Sequence, residues 1–330
     1  MSFDSMDSDT TQTALQNAAA TAHKHLPESF IERIKNEFED AQCQRILAST
    51  VMPGPRGLRF NTIKDDPAQI RKQLLDDGIE TTPVPWCTHA AIIVRDALPA
   101  VLDHACWRNG LVHVQSLPSM ITSLVLDPQP GERVLDLCAA PGGKTSHIAA
   151  LMDNTGEIVA NDRSRARCHR MRALLDQLGA QATVRTSDGT GIGHRQPMQY
   201  DRVLVDAPCS GEGRFSIEQE TTINDWTITK SRRLASLQKS LLHSAIQAVR
   251  PGGIVVYSTC TYAKGENEAV INRALDRYGE GPQGIELDSI QQSLPGEHAP
   301  MYRSIPDPVG APIDQAMEGF FIARLRRRER

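Results

Sequence analysis

The sequence predicts an α/β protein with a doubly wound, mostly parallel sheet in its larger C-terminal part and a smaller α+β domain before it. Three observations lead there. Short apolar runs that read as strands recur after residue 121, at Arg133 to Leu137, Glu157 to Asn161, Ala182 to Thr186, Arg202 to Val205 and Gly253 to Ser258. Helical stretches such as Thr145 to Met152 and Arg163 to Leu178 separate them, and that alternation is expected of parallel strands joined by crossover helices. The 330 residues also exceed one ordinary compact core, which argues for two domains or one domain with a large extension.

Taken in order, residues 1–21 are rich in Ser, Thr, Asp and Ala with almost no large apolar side chain, so a disordered tail is expected. Leu26-Pro-Glu-Ser29 opens a helix in which Phe30, Ile31, Ile34 and Phe38 recur at helical spacing. After a Pro/Gly turn come a strand at Leu58 to Ile63, a helix from Asp66 to Asp77, and strands at Ile79 to Trp86 and Ala90 to Val94. Residues 22–117 lack regular alternation and form the expected α+β domain. The α/β domain follows as 118–330, with a last strand at Phe320 to Leu325. A long Pro- and Gly-rich irregular insertion, Gly279 to Ile313, could line a site.

Composition excludes several classes. With 40% hydrophobic and 23% charged residues and no apolar run near the roughly 20 residues of a membrane span, a cytoplasmic protein that does not cross the membrane is expected. The N-terminus has no secretory pattern. Seven scattered cysteines without a CxxC pair support neither a disulfide framework nor a metal site. The net charge of -4 does not announce a nucleic-acid binder, but three basic clusters permit one: Arg163 to Arg172, Lys230 to Arg233, and Arg324 to Arg330, the last read as a frayed tail.

The chemistry concentrates at the strand ends. Cys138-Ala139-Ala140-Pro141-Gly142-Gly143-Lys144-Thr145 links a strand to a helix through small residues, which allow close backbone approach and leave free amides at the helix start. It matches neither GxxxxGK[ST] nor GxGxxG. The next strand ends at Asp162, about 20 residues on, where an acid can take ribose hydroxyls. Asp188 and Asp206 close the third and fourth strands. Singly each could be a cap; together beside one loop they fit a nucleoside ligand without a long phosphate tail, such as S-adenosylmethionine. Cys43, Cys87, Cys106 and Cys168 read as buried small hydrophobes. Cys209 and Cys260 do not, because each sits at a turn among Ser, Thr, Pro and Gly at the cofactor edge of the sheet. A thiolate beside a methyl donor suggests cytosine carbon 5 chemistry, in which thiolate addition to carbon 6 makes carbon 5 nucleophilic; Asp206 is placed to assist at ring nitrogen 3.

CAAPGGKT (Cys138 to Thr145), DAPCSGEGRF (Asp206 to Phe215) and YSTCT followed by ENEAV resemble the RsmB/NOP (Nol/Nop/Sun) family of RNA cytosine-5 methyltransferases. LRFNTIK, PWC, SMITSLVLDPQPGERVLD, LQKSLLHSA and EGFFIARL extend the likeness from about Leu26 to Leu325. The resemblance implies a Rossmann-like class I methyltransferase domain and an RNA substrate. It implies that Cys138 to Lys144 hold the methionine part of S-adenosylmethionine, Asp162 the ribose and Asp188 the adenine edge, with Arg167 added or merely on the surface. It implies Cys260 as nucleophile, Cys209 in product release, Asp206 at the base and Lys144 helping to position it. Thr261 stands where many members carry Ser, so a hydroxyl is kept. LPESF, LRFNT and PWC look nearest to bacterial members that act on small-subunit ribosomal RNA, with transfer RNA the alternative. A single-stranded or flipped cytosine is implied, its backbone held by the N-terminal domain and the basic clusters. The chain ends soon after EGFFIARL, so the extra C-terminal RNA-binding domain of some longer members is not expected; a monomer is. Two other readings are a silent RNA-binding or assembly factor, against which the intact cysteines and acids argue, and an NAD-linked oxidoreductase, which leaves the cysteines unexplained.

Overall fold

The computed structural model describes residues 8–52, 54–281, 284–290, 294, 301–306, 308 and 317–329. It opens with three helices, α1 (Ser8–Ala22), α2 (Glu28–Glu37) and α3 (Asp40–Ser49). The disordered tail expected over residues 1–21 is therefore helical from Ser8 onward, and residues 1–7 lie outside the described ones. The reason is tertiary. Leu15 and Ala18 rest on Ala48 of α3, while Ala19 and Ala22 join a core with Phe30, Ile34 and Ile46, so small side chains that look unable to support a helix pack closely against a neighbour.

The next elements are β1 (Arg56–Phe60), α4 (Pro67–Asp76), β2 (Thr82–Val84), β3 (Cys87–Ile93), the short helices α5 (Leu98–Asp103) and α6 (Ala105–Arg108), and β4 (Val112–Val114). The strands form an antiparallel sheet in the order β2-β3-β1-β4. Asp66 caps α4 by accepting from the Ala68 and Gln69 amides, with Pro67 at the first helical position. The helix then buries Ile70 and Leu74 against Leu58, Phe60 and Ile93.

The larger unit contains α7 (Leu117–Leu126), β5 (Arg133–Asp136), α8 (Gly143–Leu151), β6 (Glu157–Asp162), α9 (Arg165–Leu178), β7 (Thr183–Thr186), α10 (Ile192–Arg195) and β8 (Tyr200–Asp206). It continues through α11 (Ile228–Ala248), β9 (Val249–Thr259), α12 (Glu268–Tyr278), β10 (Ile285–Leu287), β11 (Met301–Ser304) and β12 (Phe320–Arg327). Strands β9-β8-β5-β6-β7 lie parallel in that order, and β12 adds antiparallel to β9. The chain leaves β5 toward β6 on one side and returns as β8 on the other, so the sheet has its topological switch point between β5 and β8, where α/β proteins bind ligands. Apolar cores cover both faces, as parallel strands require: one holds α7, α8 and α9 side chains, the other α11 and α12.

Two expectations about the C-terminal part need correction. Within the stretch expected to be an irregular insertion, β10 and β11 pair antiparallel with β12, while residues 282–283, 291–293, 295–300, 307 and 309–313 lie outside the described ones. Nor do the closing arginines fray among the described residues. Arg324 and Arg326 both pair with Asp288 at 2.9 Å and Arg328 pairs with Glu286 at 2.8 Å, because strand pairing brings distant acids alongside. No helix among the described residues is long and apolar enough to cross a membrane.

Candidate active site

The loop after β5 turns sharply at Gly142, whose φ of 110° lies in the left-handed region that favours glycine, and α8 begins at once. Ala139 donates its amide to the Asn161 carbonyl at 2.7 Å, which ties the loop to β6. Asp162 is buried at the end of β6; it accepts from the Ser164 amide at 2.8 Å and pairs with Arg167 at 3.0 Å. Arg167 also donates to the Ala140 carbonyl and so bridges the loop to β6. Asp188 accepts from the amide and hydroxyl of Thr190, and these bonds hold its carboxyl below the usual range. Beneath the loop Asp136 is fully buried. Burial pushes its carboxyl up to about 7, although Thr145 donates to it at 2.7 Å, and its second oxygen has no hydrogen-bond partner among the described residues. Burial likewise raises the Cys138 thiol, consistent with a backbone role. Small loop residues, free helix-start amides, an unused buried acceptor and acids at strand ends fit an amino-acid zwitterion joined to a nucleoside, as in S-adenosylmethionine.

On the other side of the switch point β8 delivers Asp206. Lys144 pairs with one of its oxygens at 2.8 Å and Ser258 donates to the other at 2.9 Å. Because β8 and β9 run parallel, with Asp206 opposite Ser258, the turns beyond them project together. The sulfurs of Cys209 and Cys260 consequently lie 3.3 Å apart, and the Cys260 amide donates to the Cys209 sulfur at 3.3 Å. The pair is electrostatically uneven. The thiol of Cys209 is raised, chiefly by its hydrogen bond to Cys260, and that of Cys260 is lowered, chiefly by the same bond and further by Arg214. Of the two thiols, Cys260 is therefore the more readily ionised. Cys209 opens on a cleft of about 550 Å³ that is also lined by Arg56, Arg214, Trp226, Lys230 and Glu318.

A family model described as 16S rRNA methyltransferase RsmB/F matches residues 123–326, well over half of the chain. The chain belongs to the RsmB/F family. A second model, described as the N-terminal domain of 16S rRNA methyltransferase RsmF, matches residues 26–117. Among relatives, the ribosomal RNA small subunit methyltransferase F of Cronobacter sakazakii is 35% identical over 92% of this chain and 63% of its own length. That of Escherichia coli O81 is 34% identical, over 92% of this chain and 64% of its own. The chain thus spans a little under two thirds of the length of these relatives. Among solved structures, a methyltransferase homolog protein from Pyrococcus horikoshii matches at a TM-score of 0.78 and 30% identity, over 97% of this chain and all of that one. NSun6 from the same organism matches at 0.80 and 22% identity, over 93% and 99%, a likeness of fold. S-adenosylmethionine, the cofactor expected from the loop and acids, is the methyl donor of RsmB/F methyltransferases.

In this RsmB/F chain the expected cysteines, acids and lysine gather at one sheet edge; Cys43, Cys87, Cys106 and Cys168 are buried, the last with its sulfur against the Asp162 carbonyl at 3.5 Å. Two buried carboxylates that hold the Cys209 turn went unread. Glu266 accepts from the Ser210 amide at 3.0 Å, from Ser231 at 2.6 Å and from Gln238 at 2.8 Å. Glu212 accepts from the Trp226 indole at 2.8 Å and pairs with Arg33 of α2 at 2.7 Å. Phe30 of α2 packs on Phe215 and Trp226, so the N-terminal helices brace the Cys209 turn. Both acids stood inside quoted motifs, but a glutamate among Gly and Asn reads as solvated until the fold removes its water. Arg214 was quoted too, and only folding brings its charge to Cys260.

Proposed function

We propose that this chain methylates carbon 5 of a cytosine in RNA through a covalent cysteine–cytosine intermediate, with small-subunit ribosomal RNA as substrate. The observation that carries the reading is the 3.3 Å approach of the Cys209 and Cys260 sulfurs, with Cys260 the more readily ionised and the Asp206–Lys144 pair at the same edge. The relatives named as ribosomal RNA small subunit methyltransferase F support that substrate. Bound S-adenosylmethionine supplies an electrophilic methyl group.

The Cys260 thiolate adds to carbon 6, and the 5,6 electron pair becomes available at carbon 5 as nitrogen 3 takes a proton through Asp206. Lys144 and Ser258 fix Asp206 for that task. Carbon 5 would then take the methyl group of S-adenosylmethionine held by Cys138 to Lys144, Asp162 and Asp188, the methyl–sulfur bond breaking to leave S-adenosylhomocysteine. In the release step carbon 5 loses its proton to water, the 5,6 double bond reforms, the carbon 6–sulfur electron pair returns to Cys260, and nitrogen 3 gives its proton back through Asp206. The Cys209 thiol donates to the departing thiolate and so lowers the cost of elimination.

The test is methyl incorporation into ribosomal RNA from a strain lacking this gene, with the modified cytosine located by bisulfite sequencing. Wild-type protein is expected to convert one cytosine and Cys260→Ala none. Normal conversion by Cys260→Ala sinks the assignment of nucleophile, and no conversion by the wild type sinks the substrate.

A further inference from the structure

The LRFNTIK segment takes no part in the chemistry above, although its polar side chains are costly to place where they are. Arg59 of β1 is 1% exposed and has no carboxylate partner among the described residues. Its neighbours His89, His113 and His147 are held neutral by burial. One guanidinium nitrogen has no hydrogen-bond partner among the described residues, while the others donate to Gln115 at 3.0 Å and to Ser146 at 2.6 Å. Such an unpaired buried cation destabilises a fold.

What Arg59 touches is the root of the cofactor loop. Ser146 lies in the first turn of α8 and itself donates to the Gly143 carbonyl at 2.9 Å. His113 of β4 closes on the same place, since a Cβ on Gly143 would sit 3.1 Å from its ring nitrogen. The rest of the segment grips α9. Asn61, also 1% exposed, donates to the Leu178 carbonyl at 2.8 Å, and Lys64 donates to the Gln177 carbonyl at 2.6 Å. These are carbonyls of the last turn, which the helix cannot satisfy itself, and a cation there also complements the helix dipole. The opposite end of α9 carries Arg167, which bridges Asp162 and Ala140.

We propose that Arg59, Asn61 and Lys64 are positioning residues of the cofactor site, through which the N-terminal domain fixes the two helices that carry the cofactor loop and Arg167. The inference rests on the reading of that loop as an S-adenosylmethionine site. It accounts for an unpaired buried arginine that stability alone disfavours: the N-terminal domain holds the cofactor loop in its binding geometry.

The experiment is calorimetric titration of the full chain with S-adenosylmethionine, paired with thermal melting. Arg59→Met removes the unpaired charge at similar volume, so Tm is expected to hold or rise while Kd weakens about tenfold, below the roughly 100-fold that a 1 Å misplacement can cost. Lys64→Ala, at an exposed site, is expected to weaken binding in the same direction, and Lys64→Arg to restore it. Weaker binding without loss of Tm supports the positioning role. Unchanged Kd in both variants, or a lowered Tm with unchanged Kd, overturns it. If Arg59→Met does not fold, the Lys64 pair decides alone. A wild-type chain that binds no S-adenosylmethionine brings down the cofactor reading itself, an outcome distinct from either.

Discussion

Replacing Cys209 by Ala removes one thiol that lies 3.3 Å from the Cys260 sulfur and is the first cause of the lowered Cys260 thiol. The variant separates attack from release. A hydrogen bond to a charged group contributes about 1.5–3 kcal/mol, so losing it from the departing thiolate slows elimination roughly ten- to hundredfold. Attack also slows, because the Cys260 thiol rises toward its ordinary value and less thiolate is present at neutral pH. That loss can be recovered by raising the pH, whereas poor leaving from carbon 6 persists once the adduct has formed. Enzyme should therefore accumulate joined to RNA. The assay is denaturing gel electrophoresis after incubation with substrate RNA and cofactor, with a slow band expected for Cys209→Ala and none for Cys209→Ala/Cys260→Ala. A Cys209→Ala variant that turns over normally, or that shows no slow band at any pH, would refute the hydrogen-bond account of release.

Two further outcomes follow from the electrostatics. Arg214 helps to lower the Cys260 thiol, so Arg214→Ala should raise it, slow alkylation of Cys260 by iodoacetamide at pH 7, and move the alkylation profile to higher pH; an unmoved profile counts against that role. The Asp136 carboxyl is raised by burial from 3.8 to about 7, so the folded state binds its proton more tightly than the unfolded state does. Stability from this group is full below pH 4 and is lost as pH rises toward 7. Two pH units between pH 5 and 7 amount to about 3 kcal/mol. Urea denaturation of Asp136→Asn at pH 5 and 8 should show a pH dependence smaller by about that amount, and an equal dependence in both proteins would place the titration elsewhere.

The strand-helix alternation, the small-residue loop, the acids at strand ends and the two exceptional cysteines were all legible in the sequence. Strands buried on both faces need continuous apolar runs, and turns at a ligand edge need Gly, Pro and hydroxyl residues, so both leave local marks. Cys209 and Cys260 could be singled out because neither sits in an apolar run. Their meeting could not be read, because it depends on the parallel register of β8 and β9, a property of two segments about fifty residues apart. The same holds for Glu266 and Glu212, whose partners come from α11 and α2, and for β10 and β11, whose pairing with β12 no local pattern announces. The helix over Ser8–Ala22 was misread because alanines show no apolar stripe until a facing helix makes their small size useful. By itself the sequence determined which residue types stand at the working edge of this RsmB/F chain. Tertiary structure alone decided which sulfur ionises the more readily, since that depends on distance, burial and the charge of Arg214.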